Sequence, residues 1–167
     1  EIGEIVGRSS AMMRGYYKCE DKTEELLWTR ADGAVFYRTG DMGRLDSDGF
    51  LSVLDRRKDM IISGGFNIYA EDLEKTLLSH DDITDAAVIA IPSRQWGETP
   101  LGLVVLREGC DTDLTTLCDW ANQQLGKAQR LSALEQRDHL PRSTIGKILK
   151  RELRDPYWQE QPQSARG

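Results

Sequence analysis

Cysteine and histidine are scarce in this chain. Its 167 residues include three cysteines, Cys19, Cys110 and Cys118, and two histidines, His80 and His139. There is no CxxC pair, and neither histidine stands at metal-ligand spacing, so a zinc module and a disulfide framework are both excluded. Such cysteine usage suits the reducing cytosol and predicts a cytoplasmic protein. Cys118 falls on the apolar side of a predicted helix and reads as a small core residue. Positive charge is in deficit too: 22 Lys and Arg face 28 Asp and Glu, a net charge of -6. That balance argues against nucleic acid as the main partner, because phosphate binding needs a basic face. No apolar run approaches the roughly 20 residues of a membrane span, and no internal repeat is visible.

What remains is ordinary globular composition, 39% hydrophobic and 30% charged, enough for one domain or two small ones. Residues 1–57 carry short strand signals and glycine turns. A strand opens at Glu4-Ile5-Val6, a short helix spans Lys22 to Trp28, and strands cover Ala34 to Arg38 and Phe50 to Leu54. Asp46-Ser47-Asp48-Gly49 is a strong turn signal between the last two. These elements are too few for a good core of their own. The pattern changes at Arg56-Arg57-Lys58-Asp59, and this charged run reads either as a solvated turn or, because the architecture changes there, as an interdomain hinge. A strand is expected at Met60 to Ile62, a helix at Ala70 to Ser79, and strands at Asp85 to Ile91 and Leu101 to Arg107. Leu114, Leu117, Cys118, Ala121 and Leu125 form a helical stripe that Gly126 stops. A strand at Leu131 to Arg137 and a helix at Ile148 to Leu153 complete the order β-α-β-β-α-β-α. The fold class is α+β, with a polar tail from Pro156.

Three clusters carry chemistry. In Tyr37-Arg38-Thr39-Gly40-Asp41 a strand ends on a carboxylate beside a glycine, a group able to accept both hydroxyls of a ribose. From Asp55 to Ile68, Arg56 offers a planar fork for ribose or phosphate oxygens. In the same stretch Ser63-Gly64-Gly65 lets backbone approach a thin ligand, or simply makes a tight turn. In Leu140-Pro141-Arg142-Ser143-Thr144-Ile145-Gly146-Lys147, proline and glycine frame a loop that carries the Lys147 ammonium toward an anion. A lysine that meets negative charge developing in a transition state lowers the barrier.

These motifs resemble the acyl-adenylate-forming (AMP-binding) enzymes: acyl-CoA synthetases, peptide-synthetase adenylation domains and luciferases. The resemblance rests on Gly3-Glu4-Ile5, Arg14-Gly15-Tyr16-Tyr17, the Tyr37 to Asp41 stretch, the Arg56 to Ile68 block and Pro141 to Lys147, in family order, and covers residues 1 to about 155. The wording Asp-Met-Ile-Ile-Ser-Gly-Gly-Phe-Asn-Ile-Tyr is most like acyl- or aryl-CoA ligases. Many members have glycine at the position of Asp55.

The resemblance implies that the chain is the C-terminal portion of an ATP-dependent acyl-CoA synthetase. Residues 1–57 would be a β-rich remnant of the large domain, 58–155 a small C-terminal lid domain, and 156–167 a tail. Such an enzyme joins a carboxylic acid to ATP, giving acyl-AMP, and then passes the acyl group to CoA. By motif position, Asp41 and Arg56 would hold the ribose of ATP or AMP, and Lys147 would serve adenylation. Lys58 would be the hinge, and Ser63, Gly64 and Gly65 would face the pantetheine tunnel. The family's phosphate loop, acyl pocket and Mg2+-organising acid match no stretch here. Mg2+ is therefore expected through the N-terminal domain, and the chain alone should not make acyl-AMP. The substrate acid, fatty, aryl or short-chain, is left open, and the face that would pack on the rest of the enzyme favours self-association in isolation. Acetylation of Lys147 would remove the charge the reaction needs. Two alternatives stand: a non-catalytic lid-like module that binds a nucleotide or a partner, and part of a peptide-synthetase adenylation domain.

Overall fold

The computed structural model describes residues 1–159, which divide into two compact units, Glu1–Lys58 and Asp59 onward. The first is a four-stranded antiparallel sheet. Strand β3 (Val35–Leu45) is central, flanked by β1 (Ile2–Gly7), β2 (Leu27–Thr29) and β4 (Leu51–Arg56), with one short helix, α1 (Glu20–Leu26). The β3–β4 turn closes on Asp46, whose carboxylate accepts the Phe50 N–H at 2.8 Å, and Gly49 takes a φ of +86°. Gly43 alone is buried among the residues of this unit. Phe50, Leu51 and Val53 are all exposed, as expected of a sheet with too few elements to cover its own apolar face.

Strand β3 corrects one expectation. It does not end at Thr39-Gly40-Asp41 but runs through it to Leu45. The reason is a bulge: the pairing of β1 with β3 steps from Val6↔Arg38 to Glu4↔Met42, so the intervening residues loop out of register. Gly40 absorbs the kink at φ +75°, a backbone open to glycine and costly for other residues. Asp41 is thus presented by a bulge rather than by a strand terminus.

The second unit is a five-stranded sheet with helices on both faces. In chain order come β5 (Ile61–Ser63), β6 (Phe66–Ile68), α2 (Ala70–Leu78), β7 (Ile83–Ser93), β8 (Gly97–Leu106), α3 (Leu114–Gln124), β9 (Ala133–Gln136) and α4 (Lys150–Gln159). The order across the sheet is β6-β5-β8-β7, and β9 joins β8 in parallel on the side away from β7. β7 and β8 pair over ten registered positions, from Ile83↔Leu106 to Ser93↔Gly97. Their side chains alternate between two cores, as the strand period of two requires. Ala86, Val88 and Val104 join Leu73, Leu77, Leu117 and Cys118 from α2 and α3. Ala87, Ile89, Leu101 and Leu103 pack on the other face with Leu140, Ile148, Leu153 and Tyr157. Helix α3 opens on Asp113, whose carboxylate accepts the Thr116 N–H at 2.8 Å, a side-chain N-cap.

Leu73 is fully buried in the larger of these cores. Leu73→Ala is expected to destabilise the second unit by about 2–5 kcal/mol. A urea titration reads this as a lower midpoint at an unchanged m-value; an unshifted midpoint refutes it.

The last helix is longer than expected. It spans Lys150–Gln159 with Pro156 inside, where a polar tail was predicted. Proline removes one helical hydrogen bond, but the turn is fastened by the residues that follow. Tyr157 Oη donates to Glu135 at 2.7 Å, and Trp158 Nε1 donates to the Ala90 carbonyl at 3.0 Å. Burial works to raise the Glu135 carboxyl, but the Tyr157 and Arg137 donors outweigh it and hold it below its usual range. The tail assigned to residues beyond Gln159 lies outside the described residues.

Candidate functional site

In the first unit, Asp41 and Arg56 are cross-strand partners on β3 and β4. Arg56 Nε lies 3.0 Å from Asp41 Oδ1, and both side chains stay accessible, at 51% and 32%. Arg56 therefore retains guanidinium N–H groups, and Asp41 retains an oxygen, for a polyhydroxyl ligand. Arg56 also lines a cleft of about 580 Å³ with Arg38, Thr39, Gly40, Arg57 and Lys58. At one side of it Glu4 accepts from Arg38 at 2.6 Å and from Arg57 at 3.2 Å. The Arg38 guanidinium holds the Glu4 carboxyl below its ordinary range, against the opposing effect of burial.

In the second unit, Ser63 ends β5, and Gly64 and Gly65 are the two-residue turn into β6. Both glycines have positive φ, +56° and +84°, the signature of a type I′ hairpin. Gly64 is needed for a second reason: a Cβ there would lie 2.8 Å from the Trp96 ring. Its N–H donates to the Trp96 carbonyl at 2.9 Å, so the hairpin tip and the β7–β8 turn are held together. They open onto a pocket of about 460 Å³ lined by Phe66, Trp96, Lys127 and Arg130. Phe66 and Trp96 are 62% and 51% exposed. Two aromatic faces beside two cations are suited to a heteroaromatic ring carrying phosphate. Phe66 comes from β6, Trp96 from the β7–β8 turn, and Lys127 and Arg130 from the segment after α3; sequence reasoning gave none of the four a role.

Lys147 stands on a loop tethered to the opposite edge of the same sheet. Its backbone is held by Ser143: the Ser143 N–H donates to the Lys147 carbonyl at 2.8 Å, and the Lys147 N–H donates to Ser143 Oγ at 3.2 Å. Gly146 makes the turn at φ +80°. Leu140, before the loop, is buried and Ile148, after it, packs on the core, while Thr144 to Lys147 are exposed. The Lys147 ammonium makes no ion pair with any described residue. Lys58 closes the first unit and Asp59 opens the second. Among the described residues no three His, Cys, Asp or Glu side chains converge as a metal cage. Likewise, no described helix is long and apolar enough to cross a membrane.

Residues 72–147 match the family model of the AMP-binding enzyme C-terminal domain. This stretch of the second unit belongs to that family. The likeness to relatives extends beyond it. The 4-coumarate–CoA ligase-like 9 protein of Oryza sativa subsp. japonica is 36% identical over 98% of this chain and 29% of its own length. The 2-succinylbenzoate–CoA ligase of Geobacillus kaustophilus is 39% identical over 92% of this chain and 30% of its own length. Among solved structures, ATP-bound MatB from Rhodopseudomonas palustris aligns with a TM-score of 0.84 at 32% identity, over 94% of this chain and 30% of that one. The chain therefore spans under a third of the length of these relatives. Within the second unit, β5–β6 with its diglycine turn, just ahead of the matched stretch, and the Lys147 loop at its end are the features of chemical interest. Between them lie β8 and β7.

Proposed function

We propose that this chain acts as part of an AMP-forming acid–CoA ligase. In the first half-reaction a carboxylate oxygen attacks the α-phosphorus of ATP, giving acyl-AMP and releasing pyrophosphate. In the second the CoA thiolate attacks the acyl carbonyl and AMP leaves. ATP and CoA are the nucleotide substrates, and the acid is left undefined between fatty, aryl and short-chain classes.

The observation that carries this reading is the placement of two unlike devices at opposite edges of one sheet. At the β7 edge, Lys147 is a cation with no ion pair among the described residues, on a braced loop, suited to charge that develops on phosphate and carboxylate oxygens during adenylation. At the β5–β6 edge, the Ser63-Gly64-Gly65 hairpin offers bare backbone for a slender pantetheine arm. The adjoining pocket of Phe66, Trp96, Lys127 and Arg130 offers a stacking surface and cations for the phosphorylated nucleotide of CoA. One site that runs two chemically different steps gains from a domain that presents one edge and then the other. Lys58, the last residue of the first unit, is the hinge in this scheme, and Asp41 with Arg56 receives the ribose. The relatives named as CoA ligases support CoA as the acyl acceptor. Among the described residues no group of carboxylate, histidine or cysteine side chains could hold Mg2+, so in this scheme the ion would be held by other parts of the enzyme.

The test is substrate kinetics in the ligase that carries this chain. Lys127→Glu with Arg130→Glu is expected to raise KM for CoA by about tenfold or more, the effect of losing roughly 1.4 kcal/mol of phosphate contact. KM for ATP should not change. An unaltered KM for CoA removes the pocket from the proposal, and failure of carboxylate-dependent ATP–pyrophosphate exchange in the unmodified enzyme removes the reaction.

A further inference from the structure

We propose that Arg142 is a positioning residue for adenylation, fixing the backbone from which Lys147 projects. The inference rests on the adenylation role given to Lys147 above.

The guanidinium of Arg142 bridges two acceptors of different kinds. Nη1 donates to the Gly146 carbonyl at 2.8 Å, and Nη2 donates to Asp85 Oδ2 at 2.6 Å. The Gly146 carbonyl belongs to the peptide bond that leads into Lys147, so this contact sets the peptide plane from which the lysine departs. Asp85 lies on β7 beside a register shift between Ile83 and Asp85. Its other oxygen accepts the Ala86 N–H at 3.1 Å, so the carboxylate is itself oriented by the strand. Arg142 thereby ties the lysine loop to the most extensively paired part of the sheet.

Two observations argue for positioning rather than bulk stability. The Arg142 and Asp85 side chains are 45% and 26% exposed, and ion pairs so accessible contribute little to global folding. The same loop is secured at its far end by a separate pair: Lys150, the first residue of α4, lies 2.7 Å from Glu74 Oε1 on α2, with both side chains mostly buried. The Glu74–Lys150 pair holds the helix and Ser143 braces the loop from within, while Arg142 carries the Gly146 carbonyl's tie to the sheet. Gly146 favours many backbone conformations, so its carbonyl needs an external donor if Lys147 is to leave the loop in one direction. A lysine in place of Arg142 has no fork with which to reach both acceptors at once.

Three measurements test this. In the ligase, Arg142→Ala should lower kcat for ATP–pyrophosphate exchange by about 10- to 100-fold, the scale of a misplacement near 1 Å. KM for ATP and transfer from preformed acyl-AMP should both stay within twofold. Arg142→Lys should recover only part of the rate, and Asp85→Ala added to Arg142→Ala should cost little more than Arg142→Ala alone, because both remove one contact. Amide hydrogen exchange on the 167-residue chain should quicken at Lys147 in Arg142→Ala and stay slow in β7 and β8. Unchanged exchange at Lys147, or equal loss in both half-reactions, overturns the positioning role. Quicker exchange with undiminished adenylation leaves the clamp standing and overturns the role of Lys147 on which the inference depends.

Discussion

Lys147→Ala, made in the ligase that carries this chain, is expected to slow adenylation by about 100- to 1000-fold, the scale for removing one preorganised donor from a developing charge. Transfer of an acyl group from preformed acyl-AMP to CoA should stay within about twofold. The asymmetry follows from where the lysine stands. Its ammonium has no counter-ion among the described residues, and its backbone is held on both sides by Ser143. The charge is therefore available without first breaking an ion pair, and little ordering is left to be done when an anion arrives. In the first half-reaction charge builds on the oxygens of the α-phosphate under attack; in the second it passes from the thiolate to the acyl carbonyl oxygen and leaves with AMP, a step that the proposed scheme assigns to the other edge of the sheet. Carboxylate-dependent pyrophosphate exchange and a single-turnover transfer assay separate the two. Equal loss in both would mean that Lys147 supports the fold or substrate binding in general.

Gly64→Ala should give the opposite pattern. A methyl group there meets the Trp96 ring at 2.8 Å, and φ at this position is +56°, a left-handed conformation that costs a residue with a Cβ about 1–2 kcal/mol. Either the hairpin tip or the indole must move. The tip contacts the β7–β8 turn through the Gly64 N–H, so a shift at the tip also disturbs the pocket wall. Thioester formation is expected to fall by about 100-fold, with KM for CoA raised, while pyrophosphate exchange stays close to that of the unmodified enzyme. A variant that loses exchange and transfer together would sink the assignment of the two edges to different steps. Paired with Lys147→Ala, it forms a reciprocal test in which each variant controls for misfolding in the other.

Much of the second unit could be read in the sequence because its signals are local. The apolar runs around Val88 and Val104 mark strands buried on both faces. The stripe from Leu114 to Leu125 marks α3, and Gly146 marks a turn before Lys147. Asp41 and Arg56 were singled out separately, and the register of β3 with β4 makes them neighbours. What escaped depends on contacts distant along the chain. Trp96 lies in a short polar loop, and its meaning comes from Gly64 beneath it. Arg142 stands within a motif already noticed, but its partner Asp85 is 57 residues away, on a strand whose Ala86 N–H orients the carboxylate. β6, three residues long, is too short to leave a periodic signal. The extent of α4 escaped because Pro156 argues for a stop, and the anchors that overrule it, Tyr157 and Trp158, take hold only once β9 and β7 are in place.

The outer rim of β7 has a consequence for solubility. An eleven-residue strand at the end of a sheet carries a row of free backbone groups and invites another strand to add to it. Two of those groups are already taken. The Val88 N–H donates to Glu74 at 2.7 Å, and the Ala90 carbonyl accepts from Trp158 at 3.0 Å. Glu74 comes from α2 over one face of the sheet and Trp158 from α4 over the other, so the helices that cover the two faces also plug the rim between them. A strand from a second molecule would have to displace a carboxylate and an indole before it could form its first hydrogen bonds there. Loosening either helix would uncover an aggregation-prone edge as well as a core.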